Sequence, residues 1–425
     1  MKKVKRRAVS ALVIALLLCV GLSAYLVRLA DNGGKWAGYF SGTAPGGVIT
    51  DRNGITLYSS EGEGPRFAED WSTRVSCYHL VGDVNGSVGT GALRQFSDKL
   101  SGYNFITGTS KGKTVELTVD SALNIAAYSA LGGRNGAVMV MDYTTGEILC
   151  MVSTPAEDPA NPSANPADGT YLNKCISATY VPGSVFKLVT LAAAIENIPD
   201  LAERSFFCAG SAEVGGWKLN CTGAHGNQPI EKALANSCNC AFGELSLELG
   251  ADKIAEYAEK FGLTSAHGLD GIATAAGSFK KAPADTIDLA WSGIGQYEDL
   301  VSPYAMLRYV AAVANGGELW EPTLLGHGFM AKPTKMLAKE TADKIAAMMD
   351  YNVKSAYGEW TFPGLPICAK TGTAELGDGT SHSWFTGFLK DEAHPYAFVV
   401  MIEHGGVGLK NAGSVANTVL QAAVK

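Results

Sequence analysis

The chain opens on a contrast. Residues 1–7 carry five cations and no anion, and residues 8–27, AVSALVIALLLCVGLSAYLV, carry no charge at all. About 20 apolar residues in a helix cross a hydrocarbon core of about 30 Å. The positive-inside rule keeps the cationic tip in the cytoplasm and exports everything after Arg28. A cleavable signal peptide has a shorter apolar run and an A-x-A-like site; here the best site, Leu22-Ser23-Ala24, lacks the first small residue. Lipid attachment at Cys19 calls for a small residue where Leu18 stands. The expectation is an uncleaved single-pass anchor over residues 1–30.

Beyond the anchor, residues 31–45 read as a short Gly/Ser/Pro-containing tether. From Gly46 to about Lys113 the apolar runs are short and broken by glycines, with a turn signal at Asn53-Gly54, predicting a small, mostly β or mixed module over 31–113. From Thr114 the pattern tightens. VELTVD predicts a strand, SALNIAAYSALGG an apolar-faced helix ending in glycines, and GAVMVMDYTTGEILCMVS two strands around a turn at Thr144-Thr145-Gly146. Residues 155–169 predict a long loop, and SVFKLVTLAAAIEN a buried helix. Helical patterns continue over 230–262, 286–314 and 340–355. Three strand patterns (LPICAKTGTA, SHSWFTGFL, YAFVVMIEH) and a helix over 411–424 close the chain. Strands on both sides of a helical middle predict an α+β domain over 114–425, its early and late strands sharing one sheet.

Composition changes this picture little. A length of 425 residues suits two domains, and 47% hydrophobic with 18% charged residues is globular. A net charge of −7 gives no broad basic surface, so no nucleic-acid partner is expected. Of nine cysteines, the eight after Cys19 fall outside the cytoplasm, where disulfides form. Cys208 and Cys221 bracket a short Gly-rich segment and are the expected pair, while Cys238 and Cys240 flank Asn239. No Cys/His group has zinc spacing, so neither a metal nor a cofactor is expected.

Three short motifs carry the chemistry: Ser184-Val185-Phe186-Lys187, Ser237-Cys238-Asn239 and Lys370-Thr371-Gly372-Thr373. Counting does not select them. About one S-x-x-K tetrad is expected by chance, and the chain has three, starting at Ser110, Ser184 and Ser278. Context does select. Ser184 follows the turn residues Pro182-Gly183 and precedes an apolar helix, which puts Lys187 one turn later on the same face. A simple N-cap serine leaves unexplained a lysine facing into an apolar helix. A buried lysine loses proton affinity and then serves as a base for a neighbouring hydroxyl. Ser110 and Ser278 lie in polar, Lys/Gly-containing turns. Lys370 lies on a predicted strand, where Gly372 leaves room for a substrate along the edge. His225, His382 and Trp384 are better read as structural, Trp384 packed beneath the sheet.

With these motifs the chain resembles the class B penicillin-binding proteins, monofunctional D,D-transpeptidases of the serine β-lactam-binding superfamily. GGVITDRNG resembles the family's opening R-G-x-I-x-D-R-N-G signature, with Gly46 in place of the arginine. VELTVDSALN, GAVMVMDYTTGEILCMVSTPAEDPANP, YLNKCISATYVPGSVFK, EKALANSCNCAFGEL, IGQYEDLVSPYAML and AKTGTAE…HSWFTGF continue the likeness in order. It implies a transpeptidase fold, an antiparallel sheet flanked by helices with an all-helical subdomain. It also implies Ser184 as acylated nucleophile and Lys187 as its base. Ser237 and Lys370 would relay a proton to the departing D-alanine. Asn239 would hold the substrate amide, Thr371, Gly372 and Thr373 would receive the terminal carboxylate end, and the N–H groups of Ser184 and Thr373 would form the oxyanion hole. The implied partners are peptidoglycan stem peptides ending in D-Ala-D-Ala, an acceptor amine, β-lactam antibiotics, the membrane and a SEDS-family polymerase. A D,D-carboxypeptidase, a β-lactamase of the same fold and a non-catalytic penicillin-binding sensor remain the alternatives.

Overall fold

The computed structural model describes residues 2–41, 47–62, 64–104, 109–328 and 331–425. Helix α1 (Lys2–Ser41) begins in the cationic tip. Its stretch Lys2–Ala30 is long and apolar enough to cross a membrane and is buried against nothing in the protein. The helix runs on to Ser41, into the expected tether, whose remaining residues lie outside the described ones.

The small module is mixed. Strands β1 (Val48–Thr50), β2 (Thr56–Ser59) and β3 (Arg66–Phe67) form an antiparallel ribbon, with short helices after it. Strand β4 (Thr114–Glu116), expected to open the catalytic domain, instead pairs parallel with β1 and completes the small sheet. The wholly buried Asp51 explains the join. Its carboxylate accepts from the N–H of Asn53 and Ile55, shaping the Asn53-Gly54 turn. It also accepts from the N–H and hydroxyl of Ser121, at the start of helix α2 (Ser121–Leu131). Satisfying so many donors with one buried carboxylate welds the module to the domain behind it.

That domain is built on a five-stranded antiparallel sheet. Strands β5 (Gly136–Asp142) and β6 (Ile148–Thr154) join β7 (Ile367–Glu375), β8 (Ser381–Leu389) and β9 (Tyr396–Ile402) in the order β7-β8-β9-β5-β6. The early and late strands thus share one sheet, as the pattern predicted. Both faces are covered. Val138, Val140, Phe385, Phe398 and Val400 pack on one side against α2 and the last helix, Ser414–Ala423. Met139, Trp384, Val399 and Met401 pack on the other, against the later helix Pro303–Ala314, in one buried cluster with helix α3 (Lys187–Asn197). Two covered faces explain why these strands read as continuous apolar runs.

The helical pattern over 230–262 is broken twice: at Ser237, φ +50°, between Ile230–Ala235 and α4 (Asn239–Lys260), and at Gly250, φ +76°, where α4 kinks. The pattern over 286–314 is likewise split, at the glycine-containing turn after Ser292. Residues 206–228 form two short hairpin pairings that periodicity did not announce.

Candidate active site

The turn that carries Ser184 is wedged against the edge strand β7. Gly183 has φ +55°, and a Cβ there would sit 2.9 Å from Ala374 Cα. Only glycine takes that conformation and that approach without strain. The turn Gly183–Val185 feeds directly into α3, so Lys187 lies one turn after Ser184, with 0% of its surface exposed.

The second motif, 50 positions away, converges on Lys187 beside Ser184. Its Nζ lies 3.1 Å from Ser184 Oγ, 2.6 Å from the Ser237 carbonyl, 3.2 Å from Ser237 Oγ and 2.7 Å from Asn239 Oδ1. The left-handed backbone at Ser237 aims its carbonyl and its hydroxyl at the same amine, and a helix running unbroken through it would not. Asn239 is held from behind, its Nδ2 donating to the Asn220 carbonyl at 2.9 Å. Lys370, also 0% exposed, donates to Ser237 Oγ at 3.0 Å and to the Thr371 carbonyl at 2.9 Å. The Ser237 hydroxyl therefore bridges two lysines.

Two buried ammonium groups this close are unfavourable. Burial pushes Lys187 down to about 7, and negative charge at Cys221, Cys238 and Cys240 acts in the opposite direction. Burial, and then the charge of Lys187, hold Lys370 well below the ordinary lysine value. A charge on Lys187 thus disfavours one on Lys370.

Alternation along β7 sorts the third motif. Lys370 and Gly372 face the turn that carries Ser184, and Thr371 and Thr373 face the other way. The space left by Gly372 is taken by the chain itself: a Cβ there would meet the Pro182 carbonyl at 3.0 Å and Val185 Cγ1 at 3.1 Å. Glycine at 372 thus lets the turn that carries Ser184 pack against this face of the strand. Thr371 N–H donates to Tyr357 Oη at 3.1 Å and Glu375 N–H to Gln296 Oε1 at 3.2 Å, so both point off the sheet. By the two-residue period, Thr373 N–H points off it too, toward the turn that carries Ser184. Thr373 Oγ1 accepts from Gly408 N–H at 3.2 Å, and Thr371 Oγ1 lies 3.2 Å from Tyr357 Oη.

Trp384 is wholly buried, its indole N–H donating to the Val181 carbonyl at 3.0 Å, as expected. His382 packs edge-on against Tyr180 and His404. Sequence reasoning missed Tyr357, a buried residue in no motif, which anchors the third one. The expected Cys208–Cys221 disulfide is not formed, and both cysteines are free. Cys208 Sγ lies 3.5 Å from Cys240 Sγ, and Cys221 Sγ 3.8 Å from Cys238 Sγ, because the two hairpins fold under the second motif. His225 sits beside Cys221, its Nδ1 3.7 Å from that sulfur, and not at Ser184.

A serine at a helix start, a buried amine against it, and a second amine shared through a hydroxyl define a serine acyl-transfer centre. Residues 136–425 match the family model described as penicillin binding protein transpeptidase domain. The chain belongs to that family. It is 29% identical over 381 residues to peptidoglycan D,D-transpeptidase PbpA of Mycobacterium tuberculosis, covering 78% of this chain and 76% of the relative. It is 32% identical over 289 residues to stage V sporulation protein D of Bacillus subtilis, covering 62% and 44%. Among solved structures, the D,D-transpeptidase domain of a peptidoglycan glycosyltransferase from Eggerthella lenta superposes with a TM-score of 0.75 at 27% identity, over 90% of this chain and 98% of that one. The imipenem acyl-enzyme of penicillin-binding protein A from M. tuberculosis superposes with a TM-score of 0.76 at 25% identity, over 90% and 100%.

Proposed function

We propose that this peptidoglycan D,D-transpeptidase acylates itself at Ser184, with Lys187 taking the serine's proton. One observation carries the reading. A neutral amine has two N–H bonds and one lone pair. At Lys187 the carbonyl oxygens of Ser237 and Asn239, at 2.6 and 2.7 Å, take the two N–H bonds. The lone pair is left for a hydroxyl, with that of Ser184 at 3.1 Å and that of Ser237 at 3.2 Å. A lysine held near 7 by burial is neutral often enough to act this way at physiological pH.

Ser184 Oγ attacks the penultimate carbonyl of a stem peptide ending in D-Ala-D-Ala. The N–H groups of Ser184 and Thr373 receive the oxyanion. The proton on Lys187 passes through Ser237 Oγ, beside Lys370, to the departing D-alanine. Asn239 holds the donor's amide, and Thr371 and Thr373 receive its terminal carboxylate with the help of Lys370. An amine on a neighbouring stem then resolves the ester. A β-lactam mimics the donor and stays on the serine, in line with the imipenem and penicillin G acyl-enzymes of the M. tuberculosis neighbour.

In the same reading α1 is a single-pass anchor with its cationic end in the cytoplasm and the catalytic domain outside. A separate SEDS-family polymerase supplies the glycan strands. The test is labelling of the full-length protein with a fluorescent penicillin. Wild type is expected to label and Ser184→Ala not to; undiminished labelling of the variant removes Ser184 from its role.

A further inference from the structure

The second motif has another side. Cys238, between Ser237 and Asn239, turns away from the lysines into a group of sulfur and nitrogen donors. The donor atoms of Cys208, Cys221, His225 and Cys238 all lie within 4.8 Å of one another. They come from separate pieces of backbone: the end of strand Phe206–Cys208, the residue after Trp217–Asn220, the residue before Gly226–Gln228, and the N-cap of α4. Cys208 and Cys238 are buried, while Cys221 and His225 are half-buried, leaving a path for an ion to enter.

We propose that Cys208, Cys221, Cys238 and His225 bind one zinc ion, which fixes the Ser237-Cys238-Asn239 motif beneath the two lysines. Zinc–sulfur bonds of about 2.3 Å and zinc–nitrogen bonds of about 2.0 Å give a tetrahedron with edges of about 3.5–3.8 Å. The Cys221–Cys238 and Cys221–His225 separations, 3.8 and 3.7 Å, match such edges. The surroundings suit a thiolate: Asn239 N–H, at the start of α4, donates to Cys221 Sγ at 3.2 Å. His225 is itself placed by backbone, its N–H donating to the Cys208 carbonyl at 3.0 Å.

Two disulfides, Cys208 to Cys240 and Cys221 to Cys238, are the competing account. They leave the imidazole beside Cys221 without a reason. They also fit poorly with the rest of the chain, where Cys77, Cys150, Cys175 and Cys368 are each buried with no thiol partner among the described residues. On binding, three S–H protons leave to solvent, three Zn–S bonds and one Zn–N bond form, and nothing is oxidised or reduced. Cys240, 3.5 Å from Cys208 Sγ, stays outside the set as a thiol.

The function of the ion is positional. Ser237 holds a left-handed backbone that a non-glycine residue keeps only where its surroundings impose it. A metal on the next residue imposes it.

The test is zinc content of full-length protein purified anaerobically in detergent, by elemental analysis. One zinc per chain is expected in wild type, in Ser184→Ala and in Cys240→Ser. Loss is expected in Cys221→Ser and His225→Ala, with zinc returning in His225→Cys. Cobalt substitution should give the spectrum of a tetrahedral site with three sulfurs and one nitrogen. Chelation of wild type should slow fluorescent-penicillin acylation about tenfold, reversed by zinc, the scale of losing a structural partner of a site. Metal-free protein overturns the proposal, whether its mass is four hydrogens short, showing two disulfides, or its thiols all titrate. Zinc kept in His225→Ala but lost in Cys240→Ser overturns the assigned set. Because Ser184→Ala is expected to keep its zinc, these outcomes stand apart from the acylation reading.

Discussion

Two polar clusters meet at Ser237-Cys238-Asn239, and they are made of opposite materials. On one side two buried amines share oxygen acceptors, with contacts of 2.6–3.2 Å around Lys187. On the other, thiols and an imidazole crowd within 4.8 Å. The first cluster is assembled from motifs whose internal spacing already orients them: one helical turn from Ser184 to Lys187, two residues from Ser237 to Asn239, one strand face for Lys370. The second has no such spacing. Its four residues span 30 positions of turns and short hairpins, and only the fold brings them together. The difference teaches that one tripeptide serves two sites because successive side chains leave the backbone in different directions.

The comparison breaks first at the amines. Lys187→Met keeps the volume and removes the base, so acylation by a fluorescent penicillin should fall about 10²–10⁴-fold. Since it also removes a buried ionisable group, the melting temperature should hold or rise. Labelling within a few-fold of wild type would mean that another group takes the serine's proton.

A next test concerns the wedge that puts Ser184 against β7. Gly183→Ala adds a Cβ 2.9 Å from Ala374 Cα at φ +55°. Roughly 2–4 kcal/mol of stability should be lost, read by urea denaturation of detergent-solubilised protein. A loss below about 0.5 kcal/mol would show that the turn relaxes freely.

The pH profile sharpens the electrostatic half. Burial lowers Lys187 to about 7, so protonation below that value fills the lone pair. The acylation rate should drop about tenfold per pH unit on the acid side and level off above. The linkage has the same sign: the unfolded chain binds the proton that the native lysine gives up, so unfolding free energy rises with pH between about 7 and the ordinary lysine value. A rate flat from pH 5 to 9 excludes a titrating base in this range.

The smallest effect is expected at Tyr357→Phe. It removes the oxygen that accepts from Thr371 N–H and meets Thr371 Oγ1, leaving the nucleophile side intact. A loss of about 1 kcal/mol in stability and a few-fold in acylation is expected from thermal melts and labelling rates. A collapse of labelling would make Tyr357 a member of the site and not its support.

Much of this was legible beforehand. Alternating and continuous apolar runs marked the five sheet strands, and the order of strands around a helical middle marked an α+β domain. Ser184 and Lys187 were readable because a turn and an apolar helix flank them. The pairing of Thr114–Glu116 with β1 was not legible, because a three-residue strand holds no record of its partner. The break at Ser237 was hidden because the apolar positions keep helical spacing across it, while φ at one residue does not show in periodicity. The packing of Gly372 against the turn at Pro182 and Val185 was not legible, because the two lie far apart in the chain.

By itself the amino-acid order determined the anchor-like first helix, the three motifs and the class of fold, since each rests on local spacing and on which side chains leave water. Tertiary structure alone decided that Lys187 and Lys370 share one hydroxyl, that Tyr357 supports the third motif, and that four donors of residues 208–238 converge. Those arrangements depend on angles between elements far apart in the chain, and burial and charge act on the distances that result.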